Sequence, residues 1–355
     1  MKVVVVGAGI IGTSVAYNLA KGGVSVTLLD ATDPASGTTS RSFAWVNANN
    51  KTPKTYFDLN VSGMQENAAL QRELGGEWLY TTGNTIVSED AGSLEKKVLR
   101  LKGWGYKARI ISPEEAREVE PGSALSEAFP NAAVAHFSGE SWADAPLATR
   151  TITDAARSIG AEVRTGAEVV GTEAGKSVAL GGGEILAADA IVNAAGPDGA
   201  KVARMVGRGL PLDVFPGLIA RVSAPPEVLN GLLHTPLVNL RPDGDGYLAI
   251  HHETIDERIS EEADLDALAE ELLKRARKIV PALEGSEVVG LRPGLRPVPG
   301  DGYSCVGGLP DLPGYYEALT HSGVTLGPLV GRLLAAEVLT GAPDPLLAPF
   351  RPDRF

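Results

Sequence analysis

The segment MKVVVVGAGIIGTSVAYNLAKGGVSVTLLD, residues 1–30, decides how the rest of this chain is read. Val3 to Val6 form a short continuous apolar run, the pattern of a parallel strand buried on both faces. Gly7, Gly9 and Gly12 follow with G-x-G-x-x-G spacing, and a helical segment from Ile10 to Lys21 stops at Gly22-Gly23. Val24 to Leu29 reads as a second strand ending on Asp30, 18 positions after Gly12. That is close to the spacing of about 20 residues expected of an acid that binds a ribose. Gly7 suits a tight turn, Gly9 a close approach of backbone to a pyrophosphate, and Gly12 close packing of helix on strand. The helix start at Ile10 and Ile11 then turns free N–H groups and a positive dipole end toward the phosphates. Strand, glycines, helix, second strand and acid in register predict a dinucleotide site. Lys2 ahead of an apolar run also suggests a secretory leader, but three glycines interrupt that run. Asp30 would repel a 2′-phosphate, which argues against an NADP-type ligand.

Working outward, 355 residues suffice for two lobes, and 44% hydrophobic with 21% charged residues is the composition of a soluble globular protein. A net charge of −12 with no basic stripe argues against nucleic acid as a partner. No run of about 18 uncharged apolar residues follows the glycine-rich start, so no membrane span is expected. Cys305 is the single cysteine, which excludes internal disulfides and a cysteine-held metal cluster and fits a reducing, cytoplasmic setting. The five histidines have no metal-ligand spacing, and no metal is expected.

Past Asp30, ASGTTSRSFAWVNANNK is small and polar and reads as a loop. Thr55–Leu74 reads as a helix, and Ser112-Pro113-Glu114-Glu115 as a helix start with an N-cap serine and proline at the first position. Asp144–Ile159 is helical and leads into Glu162-Val163-Arg164, followed by short strands around Gly181-Gly182-Gly183. Ala188–Ala195 is a buried strand running into Gly196-Pro197. Proline-punctuated strands follow, including Gly246–His252, then helices over Glu262–Ile279 and Val324–Leu339. The order βαβ, mixed strands, helix predicts a dinucleotide lobe built from separated segments with a strand-rich lobe inserted.

Three further segments carry a resemblance. Gly37-Thr38-Thr39-Ser40, Val192-Asn193-Ala194-Ala195-Gly196-Pro197 and Gly323-Val324-Thr325-Leu326-Gly327-Pro328 together resemble the D-amino acid oxidase superfamily of FAD enzymes. The likeness is nearest to its glycine oxidase and sarcosine oxidase branch and runs from Val3 to about Leu339. It implies an α/β plus α+β fold: a Rossmann-type FAD-binding domain from residues 1–80, 140–205 and 290–355, with an inserted mixed-sheet substrate domain from 81–139 and 206–289. By the same resemblance, Thr39, Ser40, Ala44 and Trp45 cover the pyrophosphate and flavin, and Val169 meets the adenine. Ala195 and Gly196 follow the buried strand, and Gly323, Val324, Thr325 and Leu326 reach the flavin. The last assignment also has a physical basis, since free N–H groups at a helix N-terminus stabilise the negative charge of a reduced flavin. Leu319-Thr320-His321 replaces glycines usual in the family tail and puts His321 near the flavin. Cys305 lies well downstream of Leu291–Pro293, where a covalent flavin link would fall, so FAD is expected to be non-covalent.

Gly290–Gly302 (GLRPGLRPVPGDG) contains the family's G-L-R-P tetrapeptide twice. Arg296 stands five positions before Asp301, the family spacing, and Arg292 nine before it. Arg296 is therefore the expected carboxylate ligand, a role that suits a planar guanidinium with two parallel donors. Tyr247, Ala249 and His251 share one strand face and Leu248 and Ile250 the other. The apolar pair should pack inward, leaving Tyr247, which matches a family active-site tyrosine, and His251 at the pocket. Phe43 and Trp45 are candidate pocket walls.

These residues imply oxidation of the C–N bond of an amino acid or secondary amine by hydride transfer to flavin N5. Reoxidation would use O2, giving H2O2, or another acceptor. Alternatives are an FAD-dependent dehydrogenase of a non-amine such as a 2-hydroxy acid, and an FAD-carrying electron-transfer subunit of a larger oxidase. The expected partner is a small amine or amino acid, and the sequence sets no oligomeric state.

Overall fold

The computed structural model describes all 355 residues. The central six-stranded sheet runs in space Cys305–Leu309, Leu312–Leu319, Ala190–Asn193, Lys2–Val6, Ser25–Leu29, Glu162–Arg164. All neighbours are parallel except the first pair. Lys2–Val6 pairs with the strand that follows it on one side and with one nearly two hundred residues later on the other. The chain order therefore reverses there, and a crevice opens beyond the carboxyl ends of the strands. Helices Ile10–Lys21, Gly323–Thr340 and Ala145–Ser158 pack together on one side of this sheet, their apolar faces sharing a core with Val3, Val5, Leu28 and Val192. Val4, Val6 and Ile191 point the other way, toward the antiparallel strands Val169–Glu173, Ser177–Leu180 and Ile185–Ala187. Burial on both faces is why these central strands are continuous apolar runs.

The second sheet has eight strands: Val288–Pro299, Leu212–Ser223, Tyr247–His251, Asn239–Pro242, Leu232–His234, Asn84–Ser88, Ala133–Phe137 and Arg109–Ile111. It is antiparallel except where Leu232–His234 meets Asn84–Ser88. Helix Leu265–Arg277 covers one face, burying Leu248 and Ile250 with Leu218, Leu268 and Leu272. A small sheet of Trp45–Val46, Ser141–Ala143 and Leu79–Tyr80 ties the polar loop after Asp30 into the structure.

The expected boundary at residue 290 is corrected. Val288–Pro299 is hydrogen-bonded along its length to Leu212–Ser223, from Val222↔Val288 to Leu212↔Pro299, so residues 290–299 belong to the second sheet. Their three prolines suggest a loop, but an edge strand tolerates proline because only one side of its ladder is used. Helix Gly323–Thr340 is long and apolar enough by composition to cross a membrane, yet most of it is buried within the fold between the other helices.

Candidate active site

One cavity of about 710 Å³ runs from the glycine-rich turn to the second sheet. Its first part is built by the N-terminal unit. Gly7 has φ of +103°, and a Cβ on Gly12 would lie 1.8 Å from the Gly7 carbonyl oxygen, so only glycine lets the helix start this close to the strand. Thr39 Oγ1 accepts from Ile10 N–H at 3.1 Å, while no protein acceptor meets the N–H groups of Ile11 and Gly12. Asp30 accepts from Ala8 N–H at 2.7 Å and from the Thr32 N–H and hydroxyl at 2.8 Å each. The acid is thus tied to the turn that the pyrophosphate would approach. Ala167 N–H donates to Asp30 O at 2.8 Å, which brings Glu168 and Val169 to the same end of the cavity.

The N-terminus of helix Gly323–Thr340 forms a second set of free donors. Leu326 N–H bonds to Ser322 O, but the N–H groups of Gly323, Val324 and Thr325 find no protein acceptor. Ser322 Oγ is held by Lys51 Nζ at 2.8 Å and lies 3.2 Å from Tyr56 OH. Lys51 lines the cavity, and burial pulls its ammonium down to about 8 despite the field of Glu140. Thr325 Oγ1 donates to Trp45 O at 3.3 Å, which ties the loop to the helix start.

At the second sheet, Arg296 Nη2 donates to Pro216 O at 2.9 Å and meets Asp256 Oδ2 at 3.0 Å, while its buried Nε has no partner. Asp256 is buried, and its Oδ1 accepts from Leu218 N–H at 2.8 Å. A Cβ on Gly217 would lie 3.3 Å from Arg296 Nε and 3.4 Å from Asp256 Oδ2, so glycine makes room for the pair. Burial raises the Asp256 carboxyl, against the pull of the Leu218 N–H and Arg296. Phe43, Trp45, His234 and His251 form the aromatic wall, with Phe43–His251 centroids 4.3 Å apart and Trp45–His234 centroids 4.1 Å apart. Burial draws His251 down to about 4 and His234 well below its ordinary range, so both imidazoles are neutral at pH 7.

The cavity brings together Gly7, Gly9, Ile10, Ile11, Asp30, Thr39, Ala44, Trp45, Val169, Ala195, Gly196, Gly323, Val324, Thr325, His251, Arg296 and His321. Four expected residues lie outside its lining. Gly12 packs behind the turn, Leu326 is fully buried in the core, and Ser40 donates to Gly37 O at 3.1 Å within its own turn. Tyr247 is the consequential correction. It shares a face with His251 but lies at the far end of the strand, opposite Ser223, with the Arg221 guanidinium 3.6 Å from its ring centre. Arg292 is likewise remote, its guanidinium pairing with Asp243 at 2.6 Å alongside Arg221 and Arg241. Burial acts to raise the Asp243 carboxyl, but those three guanidiniums outweigh it and hold it low. Cys305 is buried in a separate cluster with Leu210 and Leu319.

His234, Lys51, Asp256 and Gly217 carry no motif that marks them in the sequence. Strand alternation finds a face, but it does not tell which end of that face a cavity reaches.

A Rossmann-type cradle opening into a second, aromatic-lined chamber, with two helix starts presenting unpaired N–H groups, defines a two-lobed dinucleotide-dependent enzyme. The chain belongs to the DAO family, described as FAD dependent oxidoreductase, whose model matches residues 2–337. It is 29% identical to a glycine oxidase of Geobacillus kaustophilus, over 94% of this chain and 91% of that protein. The crystal structure of glycine oxidase from that organism superposes with a TM-score of 0.88 at 26% identity, covering 99% of this chain and 98% of that one. An anaerobic glycerol-3-phosphate dehydrogenase subunit A1 of Haloferax volcanii is 26% identical over 85% of this chain, which spans 55% of that longer protein.

Proposed function

We propose that this protein oxidises the C–N bond of an amino acid or secondary amine, with FAD held non-covalently. The chemistry FAD supplies when bound is acceptance of a hydride at N5 from the carbon bearing nitrogen, after which water hydrolyses the C=N product. The observation that carries the reading is Arg296, a cavity-lining guanidinium whose neighbours fix its orientation while leaving Nη1 without a hydrogen bond. A substrate carboxylate on Arg296 places the adjacent carbon, and that positioning is the main contribution of these side chains. The free N–H groups of Gly323, Val324 and Thr325 offer stabilisation to negative charge on a reduced isoalloxazine. The two neutral imidazoles and Phe43 give the chamber an uncharged aromatic wall beside the charged Arg296, Asp256 and Glu253.

Anaerobic addition of amino acids and N-methyl amines to the purified protein tests this. Bleaching of the flavin band at about 450 nm is expected, characteristic of oxidised flavin, and a peroxide assay in air then identifies oxygen or another acceptor. Oxidation of only hydroxy acids, uncharged amines or glycerol 3-phosphate, with the Michaelis constant unchanged in Arg296→Ala, would refute the reading. The relative from Haloferax volcanii makes the phosphorylated polyol the comparison to include.

A further inference from the structure

The two histidines of the aromatic wall differ in what their hydrogen bonds leave free. Glu140 is fully buried and accepts from Trp45 Nε1 at 2.8 Å, Asn49 Nδ2 at 2.7 Å, Asn84 Nδ2 at 2.9 Å and Tyr106 OH at 2.8 Å. Burial pushes the Glu140 carboxyl up to about 7, and a proton on Oε1 could be received by Tyr106 OH, whose own proton then turns to Met64 Sδ. Oε2 meets only the N–H donors of Trp45 and Asn84, so it accepts in either protonation state. Facing the acceptor Oε2, the Asn84 amide must present its NH2 group, which turns Oδ1 toward His234 Nδ1 at 2.8 Å. An amide oxygen only accepts, so His234 carries its proton on Nδ1 and its lone pair on Nε2. That Nε2 has no partner in the protein, and it is not among the sealed polar atoms, so it opens to the cavity that His234 lines. The Trp45 ring, held by the same Glu140, packs on the imidazole at 4.1 Å and fixes its plane.

His251 is the contrast. Asn239 Nδ2 lies 3.4 Å from His251 Nε2 and 3.5 Å from Glu253 Oε2, an acceptor, so His251 Nε2 accepts from Asn239 and its proton is on Nδ1. Its lone pair is spent inside the protein. Of the two imidazoles of the wall, His234 is the one with an unused acceptor.

We infer that His234 Nε2 accepts a hydrogen bond from an N–H or O–H donor of the bound carboxylate substrate, with Asn84 and Glu140 as positioning residues that set its tautomer. The inference rests on the proposed carboxylate site at Arg296 and adds the second point of recognition. Two points fix the rotation of a substrate that one guanidinium leaves free to turn. The donor is either the group on the α-carbon or one on the side chain.

The test uses the FAD-loaded protein labelled with 15N at histidine. Two-bond proton–nitrogen spectra should show His234 neutral, protonated at Nδ1 and bare at Nε2. Glu140→Gln, which removes one acceptor oxygen and frees the Asn84 amide to turn over, should shift His234 toward the Nε2–H tautomer. Glu140→Asp should retain the wild-type signature. Acetate, glycolate and 3-hydroxypropionate then serve as probes, followed by flavin absorbance without oxygen. At least one hydroxy acid should move the Nε2 resonance and bind about tenfold more tightly than acetate, the order of one hydrogen bond. Glycolate doing so identifies an α-donor, and 3-hydroxypropionate a side-chain donor. His234→Leu should erase that preference, and His234→Gln should keep part of it. A wild-type Nε2–H tautomer, or a preference that survives in His234→Leu, overturns the inference. If amino acids fail to bleach the flavin, the proposed reaction is at fault, and the tautomer result stands independently.

Discussion

Replacing Asp30 with alanine removes three accepted hydrogen bonds seen in the protein itself, from Ala8 N–H, Thr32 N–H and the Thr32 hydroxyl. Ala8 is 1% exposed, so its N–H is left buried without an acceptor in the turn between Gly7 and Gly9. An unsatisfied buried donor costs about 1–3 kcal/mol, and that part of the loss falls on the apoprotein. The proposed ribose contact adds a separate loss of about 1–3 kcal/mol in FAD affinity, roughly 5- to 150-fold in Kd. Asp30→Asn keeps one acceptor oxygen and should fall between wild type and alanine on both measures. Thermal unfolding of the apoprotein reads the first effect, and fluorescence titration with FAD reads the second. Saturating FAD should restore part of the lost Tm by mass action. Anaerobic stopped-flow on the fully loaded variant should show nearly unchanged flavin reduction. If Asp30→Ala retains FAD normally and loses only its reduction rate, Asp30 is no cofactor ligand and the N-terminal register is wrong.

Arg296→Ala should raise the Michaelis constant of a carboxylate substrate about 100-fold, as expected for loss of a charge-assisted contact, whereas Arg292→Ala should leave it unchanged because Arg292 is bound to Asp243. Asp256→Asn, measured by steady-state kinetics, should raise the same constant about tenfold with little change in limiting reduction rate, since it loosens Arg296. Gly12→Ala should yield colourless, FAD-free protein or none, because its Cβ would overlap the Gly7 carbonyl oxygen at 1.8 Å, and absorbance of the purified protein decides this. Lys51 and Lys97 are each lowered from 10.5 to about 8, chiefly by burial. Between those values the unfolded chain binds more protons than the folded one, so apoprotein stability should rise with pH from about 8 to 10.5, and less steeply in Lys51→Gln, in urea titrations across that range.

The elements set by contiguous residues are legible in the sequence. The glycine turn needs positive φ at Gly7 and no side chain at Gly12, and helix Ile10–Lys21 occupies the stretch that pattern implies. The Ser112 capping box likewise forms as its spacing predicts. These features rest on local sterics and on hydrogen bonds spanning a few residues, which sequence spacing encodes. The site depends on partners far apart in the chain. Tyr247 and His251 share a strand face, and so do Arg292 and Arg296, but four residues of strand separate each pair by about 13 Å. The cavity reaches only His251 and Arg296, because Asp243 with its three arginines occupies the other end. His234 belongs to the site through Asn84, 150 residues earlier, and its open nitrogen is set by a carboxylate that it does not touch. By itself the sequence determined a dinucleotide cradle and the family resemblance. The spacing to Asp301 already favoured Arg296 over Arg292. Tertiary structure alone decided which end of the Tyr247–His251 strand lines the cavity and which imidazole nitrogen is left free, because each depends on what a distant side chain has already bound.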